Sequence, residues 1–199
     1  MYDYDSTYFK DRVSTLMKRL GRPDLLDVLY GLSGSGASSA NAPIAFQYFG
    51  LESEGITAYD WDNIYQEIAA HYPVYVRGNC FKHTELTGSG IGNLAINISY
   101  SGGHAWVLDG IIKLRRQVTV MNMSTQTVIQ SYYQDKNLLH CNFGWDGDQN
   151  GYYLSEAFDA AQGPEDPYGV QPFSEGDQAT TGTFKNFQFN LQIIKGIRL

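Results

Sequence analysis

The sequence predicts an α+β fold in which helices come first and a twisted antiparallel sheet follows. Two observations carry this. Up to Pro73, apolar residues recur at helical spacing. After Pro73 the period becomes two, and many short strand-like runs succeed one another as hairpins.

The elements are justified in order. Phe9, Val13, Leu16, Met17 and Leu20 repeat on one face of a helix, which Gly21 and Pro23 stop, so a core-facing amphipathic helix is expected there. The Gly/Ser stretch 33–39 has the composition of a linker. Ser38 or Ser39 can also cap a helix from about Ala40 to Phe49, closed by Gly50. Asp60 opens a third helix with Trp61, Ile64 and Ile68 inward and Pro73 ending it. Strand-like runs are then expected at 74–77, 94–99, 105–108, 118–121, 127–133, 138–141, 152–154 and 187–197. Asp109 and Asp146 stand beside glycines and read as turn formers. Segment 162–182, rich in Gly, Pro and acidic residues, reads as a long surface loop.

Composition narrows the function classes. A chain of 199 residues suits a single domain with a sizeable core. Its 43% hydrophobic and 18% charged content is globular. A net charge of −7 argues against nonspecific nucleic-acid binding, and the short basic run 113–116 reads as a hairpin surface. No apolar run approaches transmembrane length, and Met1 is not followed by a signal peptide. The 2 cysteines, Cys80 and Cys141, suggest neither a disulfide framework nor a zinc site, and no metal or cofactor is expected.

The chemistry concentrates in Gly102-Gly103-His104-Ala105-Trp106 and His140-Cys141-Asn142-Phe143-Gly144-Trp145. A His followed later by an Asn beside Trp is the acid/base half of a papain-type cysteine peptidase. The His takes the thiol proton, and the Asn orients the ring from its other nitrogen. His104 is therefore the expected general base and acid, and Asn142 its expected partner through the side-chain oxygen. Phe143 and Trp145 are expected to shield that bond from water, a role compatible with plain core packing. Gly102 and Gly103 would let substrate backbone pass close. The bland alternative is a hairpin turn whose histidine is merely satisfied. His140 reads as a structural or rim histidine.

Along most of its length the chain resembles the streptopain family of secreted cysteine peptidases. The resemblance rests on Val13-Ser14-Thr15-Leu16-Met17-Lys18-Arg19-Leu20-Gly21, on Tyr30-Gly31-Leu32-Ser33-Gly34-Ser35-Gly36-Ala37 and on Pro73-Val74-Tyr75-Val76-Arg77-Gly78. It continues through Gly102-Gly103-His104-Ala105, Asn142-Phe143-Gly144-Trp145 and Asn150-Gly151-Tyr152-Tyr153-Leu154. It implies a papain-like peptidase domain over 1–199 and a secreted or cell-envelope location. It also implies substrate contact at Ser33, Gly34, Ser35 and Gly36. Where the family often has Trp, this chain has Phe143, which keeps an aromatic shield and loses an indole donor.

The departure concerns the nucleophile. In the family its Cys precedes the helix that starts here near Tyr8, so the resemblance implies the carboxy-terminal part of such a peptidase. Cys80 precedes His104 but follows a strand, with no helix start to lower its pKa, and Cys141 should face away from Asn142. The leading expectation is a Cys/His/Asn peptidase acting on peptide or protein substrates, present here without an evident nucleophile. The alternative is an inactive peptidase-like protein that binds a peptide or partner protein. A third reading, an adhesion or carbohydrate-binding β module, rests only on Tyr, Trp and Gly content. A bared cleft wall at His104, Trp106 and Trp145 would be filled by the missing amino-terminal segment, a second copy or a partner.

Overall fold

In a computed structural model the described residues are 7–32, 34–87, 95–165 and 185–199. They form α1 (Thr7–Leu20), β1 (Leu29–Gly31), β2 (Gly34–Gly36), a 3-10 turn (Ser39–Asn41), α2 (Ala42–Tyr48), β3 (Thr57–Ala58) and α3 (Trp61–Ala69). The strands β4 (Val74–Thr87), β5 (Ala95–Met121), β6 (Val128–Asn142), β7 (Gly151–Leu154), β8 (Phe158–Asp159), β9 (Asn186–Phe187) and β10 (Phe189–Ile194) follow. The fold is α+β with a mostly antiparallel sheet, its principal strand order being β3-β10-β4-β5-β6-β7. The chain divides into two compact units, 1–57 with 194–199, and 58–193.

In the first unit α1 forms where the period places it, with Lys18 and Arg19 in its last turn, where cations suit the helix dipole. Its apolar stripe does not face a core as expected: Val13, Leu16 and Met17 are all exposed. β1 and β2 pair as a small hairpin, Leu29 opposite Gly36. Ser38 accepts a hydrogen bond from the Ala40 amide at 3.4 Å, capping the 3-10 turn that leads into α2.

The second unit holds the main core, in which Ile64 and Ile68 of α3 join Val74, Val76, Trp106, Leu108, Leu139, Cys141, Phe143 and Phe187. Asp60 caps α3, its carboxylate accepting from the Asn63 amide at 2.8 Å. On β4 burial alternates strictly from Val74 to Cys80, because one face covers the core.

The separate strands read from the sequence fuse. The runs at 94–99, 105–108 and 118–121 become the single 27-residue β5, except that Leu94 lies outside the described residues. β5 pairs with β4 from Ala95 to Leu108 and with β6 from Val107 to Met121. Among the described residues only Val107 and Leu108 are paired on both sides. Asp109 is not in a turn: it is the extra residue of a β-bulge, where the register shifts between Leu108 and Gly110. Asp146 does sit in a left-handed turn, with φ 58. Most of the loop expected at 162–182 lies outside the described residues, as does Ser33.

Candidate functional site

His104 stands on β5 opposite Gly78 of β4. Side chains alternate along a strand, so His104 shares its face with Trp106 and Leu108, 2% and 0% exposed. The imidazole therefore points toward the core side, into a group of aromatic rings. Trp145 stacks on it with centroids 4.6 Å apart, Phe187 lies at 5.5 Å and Phe143 at 6.1 Å. Trp145 is half-buried and Phe143 buried. Gly78 makes room for this closure. A Cβ there would come within 2.8 Å of Leu191, 3.1 Å of Trp106 and 3.3 Å of Phe187.

Nε2 of His104 lies 2.9 Å from the carbonyl oxygen of Phe143. A carbonyl can only accept, so Nε2 carries the proton. In the neutral ring Nδ1 is then the acceptor, and among the described residues it has no hydrogen-bond partner. Burial holds the His104 pKa below its ordinary value, and the Lys185 cation pushes the same way, against the Phe143 hydrogen bond. Lys185 lies over the Trp145 ring, 4.3 Å from its centroid. The site thus holds a neutral imidazole with one nitrogen tied and the other open, the form a general base needs.

The expected hydrogen bond between Asn142 and His104 is not the one formed. Asn142 pairs with Val107, which alternates to the opposite face from His104, and its side chain is exposed. Its oxygen accepts instead from the Gly144 amide at 3.1 Å and from the Asn150 side chain at 3.3 Å. Asn150 in turn accepts from the Phe143 amide at 3.0 Å. The Gly144 N–H and the Phe143 carbonyl belong to one planar peptide unit, so they point in opposite directions. Asn142 thus holds the N–H of the same peptide whose carbonyl faces His104, one peptide removed from the ring.

The glycines before His104 have structural reasons of their own. Gly102 has φ +65, and a Cβ there would lie 3.0 Å from Phe81 and 3.2 Å from Cys80. A Cβ on Gly103 would lie 3.1 Å from the Asn79 amide nitrogen. Gly34, Ser35 and Gly36 form β2 in the first unit, whereas His104, Asn142, Phe143 and Trp145 all belong to the second.

Neither thiol is prepared for attack. Cys80 and Cys141 are both free and buried, and burial raises the pKa of each. Trp106 is buried as well, so the bared wall expected at His104, Trp106 and Trp145 is not formed as such. His140 lies on the other face, its Nδ1 2.5 Å from Asp109 and its ring edge-on to Tyr152. Sequence reasoning missed three contributors. The Phe143 carbonyl is backbone and carries no residue signal, and Lys185 and Phe187 are remote in sequence. Trp106 was expected in an exposed patch beside His104, but its alternation in step with His104 puts it in the core.

Among the described residues no group of three or more His, Cys, Asp or Glu side chains could hold a metal ion. No described helix is long and apolar enough to cross a membrane. Residues 2–153 match the family model described as the Peptidase C10 family. No curated protein matches the chain.

Proposed function

The chain belongs to the Peptidase C10 family, the streptopain family, and from that premise we propose that it carries the acid/base wall of a papain-like cysteine peptidase centred on His104. The observation that carries this reading is the His104 ring itself. Nε2–H is tied to the Phe143 carbonyl, the ring is stacked under Trp145, and Nδ1, without a hydrogen-bond partner among the described residues, is the proposed base.

In the proposed reaction Nδ1 takes a thiol proton, and the thiolate attacks the carbonyl carbon of a peptide bond. The imidazolium then protonates the leaving amine, and water releases the acyl group from the thioester. Through these steps the Phe143 carbonyl keeps the ring in one orientation, and Asn142 keeps that carbonyl aimed. Gly102 and Gly103 are proposed contacts for substrate backbone in the second unit, and the Gly/Ser stretch of Ser33, Gly34, Ser35 and Gly36 is a separate proposed contact in the first. A secreted or cell-envelope location fits the family.

The reaction needs a thiol at Nδ1, and the burial of Cys80 and Cys141 suits neither to supply it. That favours a second reading for the 199 residues by themselves, peptide binding without turnover. The test combines two measurements. Hydrolysis of casein and a fluorogenic peptide is followed under reducing conditions, and the His104 ring resonances are followed by NMR as a peptide is added. We expect no thiol-dependent turnover, and peptide-dependent shifts at His104 that Trp145→Ala weakens. Turnover abolished by Cys80→Ser would make Cys80 the nucleophile. Resonances that no peptide moves would remove His104 from a substrate site.

A further inference from the structure

The hairpin of β5 and β6 carries a cavity that the His104 site does not use. It has a volume of about 700 Å³, and its lining includes Leu114, Arg116, Gln134, Lys136 and Leu154. Three features of it point to one kind of occupant.

The first is charge. Arg115 is paired with Asp135 at 2.7 Å, Lys136 with Glu165, and Lys113 lies over the Tyr65 ring. Arg116 differs. Its Nε and Nη2 both donate to the neutral side-chain oxygen of Gln134, at 2.8 and 2.5 Å, and among the described residues it faces no carboxylate. On a chain of net charge −7 this guanidinium is a cation left uncompensated, with a two-pronged donor geometry that fits a carboxylate.

The second is an open strand edge. β7 pairs with β6 only as far as Leu154 opposite Leu138, after which the Ser155 amide donates to the Asn137 carbonyl at 3.2 Å. Backbone groups of alternate residues point to the same edge of an antiparallel strand. The N–H and C=O of Asp135 therefore face the edge where β7 has ended, and among the described residues no strand continues there. The third is an apolar floor, Leu114 and Leu154, beside the cation.

We propose that this cavity binds an extended peptide bearing a carboxylate. The peptide adds as a strand to the β6 edge beyond Leu154, its carboxylate pairs with Arg116 in place of the Gln134 amide, and an apolar side chain two residues along, on the same face, rests on Leu114 and Leu154. The carboxylate comes from an acidic side chain or from a free carboxy terminus, and both present the same two oxygens.

The experiment uses the whole chain and three fluorescent pentapeptides with leucine at the first and last positions, serine at the second and fourth and a varied residue in the middle, so that leucine and the varied residue share one face. That residue is glutamate with both ends blocked, glutamine with both ends blocked, or glutamine with a free carboxy terminus. At low salt we expect at least one carboxylate peptide to bind tenfold or more tighter than the blocked glutamine peptide, and the tighter of the two identifies the source. Arg116→Gln should erase that preference, and His104→Ala should keep it, which separates this site from the proposed peptidase site. Glu165→Gln, which frees the Lys136 charge on the same face as Arg116, should tighten carboxylate binding severalfold, and this gain does not depend on how well the Arg116 variant folds. Equal binding of all three peptides, a preference that survives Arg116→Gln, or no gain in Glu165→Gln would overturn the proposal.

Discussion

Nε2 of His104 donates to the carbonyl oxygen of Phe143 across 2.9 Å, and the N–H on the other side of that same peptide plane is held by Asn142. The orientation of the imidazole is thus set by backbone and only indirectly by an amide side chain. A backbone carbonyl serves this role as well as an Asn oxygen, because either can only accept from Nε2–H at that position.

Asn142→Ala should leave the fold intact, costing about 1 kcal/mol, the usual net worth of a hydrogen bond. It should also release the Phe143–Gly144 peptide, so that the Nε2 proton of His104, expected to exchange slowly in the parent protein, exchanges faster. Asn142→Asp keeps an acceptor for the Gly144 N–H and should restore slow exchange. NMR of the ring proton checks this. A ring proton indifferent to Asn142→Ala would limit Asn142 to shaping the turn.

The lowered pKa of His104 has a sign that stability should reveal. The folded protein holds the imidazole proton less tightly than the unfolded chain, whose value is near 6.5. The favourable contribution is present above that value and is lost as pH falls through the folded one. Urea titrations at pH 7 and pH 5 should show a smaller loss in His104→Gln than in the parent. Trp145→Ala, which uncovers the ring, should move the His104 midpoint back up toward its ordinary value. An equal loss of stability in His104→Gln would contradict the shift.

Both cysteines should resist alkylation while the protein is folded. Only the thiolate reacts, and burial disfavours it at each site. Iodoacetamide at pH 8 should modify native Cys80 and Cys141 at less than about a tenth of the rate seen in denaturant. Rapid modification of either in the native state would show an accessible thiolate there.

Gly102→Ala should destabilise by about 1–3 kcal/mol, since the new methyl group meets Phe81 and Cys80 in a backbone conformation suited to glycine. Gly36→Ala, whose Cβ meets nothing within 4 Å, should stay within about 0.5 kcal/mol. Chemical denaturation of the two variants side by side decides it.

Local signals were legible where one residue decides the outcome. Asp60 and Ser38 announced their caps, and the switch to period two after Pro73 announced the sheet. Cys141 was readable as an inward strand residue. What could not be read depended on partners distant in sequence. A strand period cannot tell three short strands from one long one, so β5 was seen in pieces. Asp109 beside Gly110 has the composition of a turn, and only pairing with β6 makes it a bulge. That pairing also sets which face Asn142 occupies, and hence why it reaches the Gly144 amide rather than the ring. Helical spacing in α1 fixed the helix but not its burial, because periodicity marks an apolar stripe without naming what lies against it.

The overlap at Val107 and Leu108 has a mechanical consequence. β5 pairs with β4 along one part of its length and with β6 along the other, and among the described residues only these two are gripped from both sides. They act as a rivet between two levers, with His104 three positions from it on the β4 side and the Asn142–Trp145 turn joined from the β6 side. The backbone route between the imidazole and the turn that orients it therefore runs through Val107 and Leu108, so a substitution that loosens the pairing there should be felt at the His104–Phe143 contact more than one at the far end of either lever.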